Sequence, residues 1–405
     1  MATWTNMPDP LSGFSVAAPS GHLLLIIVLL LSLSAPVVAQ QSQRPDRLYF
    51  SADFGHTRDS NYDRVPDDDA EQITTGTAGI HLNQTLSRQY FSAGAAVTRY
   101  MFGEGGELDT SLWSGRVDWH SNVGNRLKPS LSWSRTERLL DRAEFEQRDI
   151  LTDENLRGGL VFALGPHWRI PLKARHLEQE HSSDSQKALN YIDEQISIGA
   201  TYTSDRNSKA GINLVGGDRE YPNQDRVRPE DIPERADLDF AYLTLELETN
   251  WVISPKTQLE GRLGFFDRNG EANDGSGGYA LVDARWKPTH KTKLASGLQY
   301  TEPPIGETAN SPSRIERLHF GVEWQATPKI LLSSGYSWTN NRFHANSGRQ
   351  SRTEEVQVLN PLVARYEMNE TLAFYLRSTW VSRSSPLKER EFDATVVKVG
   401  VDLTL

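Results

Sequence analysis

The chain has 405 residues, with 43 basic and 53 acidic side chains, a formal net charge of −10 and no cysteine. An acidic balance without a basic stripe excludes a nucleic-acid footprint, and the lack of cysteine excludes disulfides, thiolate metal sites and a lipidated-cysteine anchor. Only 37% of residues are hydrophobic, so membrane passage falls to strands, which need an apolar residue only at every second position.

Residues 1–39 have the pattern of a cleaved secretory signal peptide. Leu23 to Leu33 is apolar apart from Ser32 and too short for a spanning helix of about 20 residues. Ser34-Ala35-Pro36-Val37-Val38-Ala39 then supplies the small residues of a cleavage site before Gln40. The usual positive charge is missing, since residues 1–22 hold neither Lys nor Arg. Residues 40–46 are expected to be a short periplasmic lead-in, with no periplasmic domain, and 47–405 one barrel.

From residue 47 onward, eighteen stretches of about ten residues alternate apolar with polar side chains. The fourth sets Trp113, Val117 and Trp119 against Ser114, Arg116, Asp118 and His120; the seventh sets Trp168, Ile170, Leu172 and Ala174 against Arg169, Lys173 and Arg175. The tenth opposes Ala241, Leu243, Leu245 and Leu247 to Thr244, Glu246, Glu248 and Asn250, and the last opposes Val397, Val399, Val401 and Leu403 to Lys398, Gly400 and Asp402. The joins alternate as well. Short ones such as Leu86-Ser87-Arg88, Gly165-Pro166-His167 and Ser254-Pro255-Lys256 follow long ones such as Thr57–Glu71, Arg138–Glu154, Pro222–Asp237 and Glu302–Ser313. Nine long and eight short joins, starting and ending on a long one, predict an all-β fold. That fold is an antiparallel, up-and-down transmembrane β-barrel of about 18 strands in the Gram-negative outer membrane, with its short turns in the periplasm. Aromatics before the short turns (Trp119, Tyr202, Trp251, Trp286, Trp324, Tyr366) form the expected headgroup girdle.

A charge on the lipid face costs about 2–4 kcal/mol for Arg or Lys at the midplane, so the charged set is assigned to a wet lumen. The inward basic set is Arg116, Lys128, Arg157, Arg169, Lys173, Arg175, Lys209, Arg219, Arg262, Arg285, Lys293, Arg317, Arg365, Arg377 and Lys398. The acidic set is Asp118, Asp193, Glu246, Glu248, Glu260, Asp283, Glu323, Glu355 and Asp402. The surplus of about six positive charges favours anions. It concentrates in a ladder, Arg157, Arg169, Lys173, Arg175, Lys209 and Arg219, whose chief acidic partner is Asp193. Of these sets, Arg116, the ladder, Arg262, Arg285, Arg317 and Arg377 are the candidate path residues. The alternative for each is an ordinary solvated lumen charge balanced across strands. Eighteen strands leave an aqueous channel, and Pro222–Asp237 is the join best suited to fold inward and plug it.

Catalysis is not indicated. His81, His120 and His319 point inward, but no Gly-x-Ser-x-Gly motif and no metal-ligand spacing accompanies them. Asp67-Asp68-Asp69 is an acidic run of the kind that ordinarily stays a solvated loop. No cofactor is expected.

Several segments together carry a family resemblance: Thr57-Arg58-Asp59-Ser60-Asn61, Ser87-Arg88-Gln89, Thr98-Arg99-Tyr100, Gly216 to Asn223, Ser254 to Arg262, and Trp286 to Thr292. They resemble the EpsL-like outer-membrane barrels of exosortase-associated exopolysaccharide systems, close to the group named β-barrel porin 2. In that family's Asp-x-Asn loop a Leu-Phe-Arg usually follows, whereas here Tyr62-Asp63-Arg64 stands in its place. The resemblance implies a pore, or pore accessory, in exopolysaccharide biosynthesis or export. Its partners would be outer-membrane lipid, the outer-membrane assembly machinery, the polysaccharide, and a separate periplasmic or inner-membrane export complex. The alternatives are a general or anion-preferring diffusion porin and a non-conducting surface scaffold.

Overall fold

The computed structural model describes residues 47–66, 70–103, 106–140, 148–226, 228, 236–307, 311–344 and 351–405. The signal peptide, the lead-in, Asp67-Asp68-Asp69 and most of the middle of Pro222–Asp237 lie outside the described residues. The first third of the sheet comprises β1 (Arg47–Asp59), β2 (Glu71–Leu86), β3 (Gln89–Phe102), β4 (Thr110–Ser121), β5 (Leu127–Leu139) and β6 (Ile150–Leu164). Next come β7 (Trp168–His181), β8 (Tyr191–Thr203), β9 (Lys209–Glu220), β10 (Phe240–Ser254), β11 (Thr257–Gly270) and β12 (Gly275–Trp286). The last third is β13 (Thr292–Thr301), β14 (Arg314–Thr327), β15 (Ile330–Phe343), β16 (Arg352–Glu367), β17 (Leu372–Ser384) and β18 (Phe392–Thr404).

Each strand pairs antiparallel with its neighbours in sequence, and β1 also pairs with β18, so the 18-stranded sheet closes on itself. The closing register runs from Ser51 opposite Thr404 to Asp59 opposite Val396. Backbone bonds between Phe50 and Leu405, at 2.8 and 2.9 Å, finish the seam. Closure satisfies every edge, which hydrocarbon requires because it offers no hydrogen bonds. Short and long joins alternate as expected except at Glu271–Asp274, a long-side connection of only four residues between β11 and β12.

The two faces separate by parity. Phe54, Ile80, Val97, Val117, Leu156, Ile196, Leu245, Phe265, Phe320 and Val399 are exposed on the outer face, where lipid covers them. The girdle residues Tyr202, Trp251, Trp286, Trp324 and Tyr366 are exposed beside the short turns, as is Trp168. The opposite face is concave, and its contacts skip strands. Tyr242 on β10 reaches Asp193 on β8 (3.3 Å), Tyr279 on β12 reaches Glu246 on β10 (2.5 Å), and Tyr375 on β17 reaches Asp53 on β1 (2.9 Å).

One inward assignment is corrected. The β16–β17 register shifts between Leu359 and Leu362, and the β15–β16 register between Ser333 and Gly335. An extra residue in one strand reverses which side chains face which way. Beyond that bulge Val356 and Val358 are buried inside, whereas Glu355 points outward and accepts from the Trp338 indole N–H at 3.4 Å. Two carboxylates missing from the expected set, Asp53 and Asp153, share the inward parity of β1 and β6.

Candidate functional site

The lumen wall divides into arcs. On β10 to β14 opposite charges are matched: Arg262 with Glu246 (3.4 Å), Arg285 with Glu260 (3.7 Å), and Lys293 with Glu323 (2.5 Å). Arg317 on β14 is half-buried and faces Asp283 at longer range. On β16 to β18, Arg365 bonds Asp402, as cross-strand balancing in a wet barrel requires, while Arg377 stands opposite Lys398, a like-charge pair with Asp53 and Asp402 near Lys398.

The arc from β4 to β9 is different. Arg116 is exposed to the lumen and chelated by its own strand's Asp118 at 2.5 and 2.9 Å. Arg157 stands directly opposite Arg175 across the β6–β7 register, a like-charge pairing that weakens a sheet. The Arg157 Nε donates only to the Asn155 amide oxygen, at 3.2 Å, and Arg169 donates to the Thr203 hydroxyl at 2.6 Å. Both partners are neutral. Lys173 and Lys209 are exposed on the same face and make no ion pair among the described residues. Among the described residues, these four cations make no ion pair along one wall, Arg157 having only Asp118 at longer range.

The outer end of the ladder is locked. Arg219 donates to Asp193 at 3.0 Å and lies over the Tyr191 ring at 4.3 Å, with Arg175 at 4.0 Å from the same carboxylate. Arg219 and Asp193 are buried, at 6% and 2% side-chain exposure, so these two rungs are structural.

What buries them is the join between β13 and β14. Its described residues 302–307 turn into the barrel and reach past Arg268 on β11 to Arg219 on β9. The Glu307 carboxylate lies 3.9 Å from Arg219 on β9, four strands from the β13 terminus that the segment leaves. Asn273 brackets Ile305, accepting from its N–H at 2.6 Å and donating to its carbonyl at 3.1 Å. The Arg268 guanidinium donates to the Glu302 carbonyl at 2.7 Å. Ile305 packs on a cluster of Leu140, Leu151, Leu177, Leu189, Tyr191, Tyr221, Leu238 and Phe240. Gly306 has a φ of +90° and sits against the Tyr221 ring, an approach that a side chain would block. Burial pushes the Tyr221 hydroxyl up to about 12. It also pushes the Glu307 carboxyl up to about 7, against the pull of Arg219 and Arg268.

The join expected to fold inward, Pro222–Asp237, has its described ends in the same cluster, through neighbouring Tyr221 and Leu238. Its middle lies outside the described residues; among those described, a second segment, 302–307, also reaches inward. Its Pro303-Pro304 pair gives a stiff, extended lead, a signal available from the sequence.

No family model matches the chain, and no curated protein matches it. Among solved structures, the barrel is similar to the outer membrane protein OpdK of Pseudomonas aeruginosa, with a TM-score of 0.51 and 10% identity, over 89% of this chain and 99% of that one. It is likewise similar to OccK2 (OpdF) of the same organism, with a TM-score of 0.50 and 12% identity, over 89% and 97% of the two chains. At this identity the likeness concerns the fold. With the closed sheet, apolar outer face and charged interior already described, the fold is that of a porin-like barrel in the Gram-negative outer membrane.

Proposed function

We propose that this protein is an anion-preferring diffusion channel, its path running past Arg116 and along Arg157, Arg169, Lys173 and Lys209. Arg262, Arg285 and Arg317 contribute less, being held mainly in the matched arc, and Arg377 adds to the path beside Lys398 on β18. The observation that carries this reading is Arg157 opposite Arg175, with Arg169, Lys173 and Lys209 continuing the row toward the short turns. A like-charge pairing weakens the sheet, and low-dielectric walls focus the resulting field on a passing anion. The segment 302–307 narrows the outer half of the lumen, which suits small anionic solutes better than a polymer chain.

The resemblance to exopolysaccharide barrels, carried by segments such as Gly216 to Asn223 and Ser254 to Arg262, supports a second reading as an export pore or accessory. Loss of polysaccharide secretion in a deletion strain would favour it. For the channel reading, the test replaces Arg157, Arg169, Lys173 and Lys209 with Gln. Reversal potentials across a salt gradient should show anion preference largely lost while conductance persists. The loss should be greater near 0.01 M salt, where the Debye length is about 30 Å, than at 0.1 M, where it is about 10 Å. Equal selectivity in two conducting proteins would refute the assignment.

A further inference from the structure

We propose that docking of segment 302–307 within the lumen is proton-linked through Glu307: the neutral carboxylic acid keeps the segment seated against β8 and β9, and ionisation releases it. The case starts from the contacts. Among the described residues, both Glu307 carboxylate oxygens are buried and lack a hydrogen bond, and so does Arg219 Nη1, which lies 3.9 Å from one of them. The Arg219 Nε is already committed to Asp193 at 3.0 Å, so the nearest cation attracts Glu307 without donating a hydrogen bond to it.

The groups facing Glu307 come from every packed element. They are Arg219 from β9, Asp193 and Tyr191 from β8, Arg175 from β7, Arg268 from β11, and Tyr221 from the β9–β10 join. Arg268 also answers to Glu302 of the segment itself. Three cations therefore face two carboxylates and two phenols in a water-poor cluster. A buried carboxylate without a hydrogen-bond donor is far costlier ionised than neutral.

The direction of linkage follows. Burial raises the docked carboxyl from its ordinary 4.5 to about 7, so the docked form holds its proton more tightly than the released form. Docking is strongest below 4.5, weakens by about tenfold per pH unit above it, and has lost this contribution once pH passes about 7. Acid closes the segment and mild alkali frees it. The linkage does not depend on which solute passes.

The absence of cysteine makes the test clean. Ile305→Cys places a single thiol on the segment, and Ser276→Cys, at an exposed position, serves as the reference for intrinsic thiol reactivity. Labelling of the full barrel by a membrane-impermeant maleimide is compared at about pH 5 and about pH 8. Relative to the reference, Ile305→Cys should react at least tenfold faster at the higher pH. Adding Glu307→Gln should hold the rate slow at both values, because the amide stays neutral. A ratio independent of pH, or an undiminished rise in the Glu307→Gln background, would overturn the proposal. If the double variant does not assemble, the single variant still decides by its own pH ratio. Accessibility needs no conduction, so a barrel that fails as an anion channel can still pass or fail this test.

Discussion

Asp193 sets which rungs of the basic wall a solute can use. By holding Arg219 at 3.0 Å and Arg175 at 4.0 Å, it turns the outer part of the ladder into scaffold and leaves Arg157, Arg169, Lys173 and Lys209 available. Removing one member of a buried pair strands the other's charge, at a cost of about 3 kcal/mol. Arg219→Met should therefore lower the thermal midpoint of the heat-modifiable barrel, whereas Lys209→Met, at an exposed position, should leave it unchanged. On the lipid face the logic reverses. Val399→Arg should impair assembly by about 2–4 kcal/mol if it sits near the midplane, while its lumen-facing neighbour Lys398→Arg should assemble normally, as judged by gel mobility before and after heating. Parity alone made the second contrast legible, because a period of two leaves little ambiguity in a regular strand. It could not separate a free cation from a locked one, since Asp193 on β8 and Arg219 on β9 meet only through register.

At the scale of elements, the bulges mark where reading by alternation stops. Pro361 cannot donate to a ladder, and the register shift around it in β16 turned Glu355 outward. A second inward join, 302–307, went unread for a related reason. Charge and proline content pointed to Pro222–Asp237, whereas the seating of 302–307 depends on the contacts it finds on neighbouring parts of the wall. Asn273, Tyr221 and Arg268 supply those contacts to 302–307 and lie on other connections and strands. The seating also turns on Gly306, where an added Cβ would stand 3.1 Å from the Tyr221 ring at a φ of +90°. Gly306→Val should be doubly unfavourable, through contact and backbone strain, and should undock the segment. Single-channel conductance should then rise with little change in ion preference. An unchanged conductance would mean that the segment does not limit flow.

At the scale of the molecule, strand number, closure and sidedness were all written in the alternation of the strands and their joins, because a membrane barrel admits few other solutions. The arc-wise imbalance of charge was legible only in outline, as a surplus toward the sixth, seventh and ninth strands. The seam between β1 and β18 has a consequence for biogenesis. The two strands that must pair are separated by almost the whole chain, from Ser51 to Thr404. Until the last residues arrive, every partly assembled sheet carries two raw edges, each a template for mispairing. The final pairing also closes the longest loop the polypeptide can make, the slowest kind of contact to form. Completion is therefore an all-or-none event governed by the C-terminal strand. A chain lacking Phe392–Thr404 loses the act of closure itself, because β1 and β17 are both left without a partner on one side.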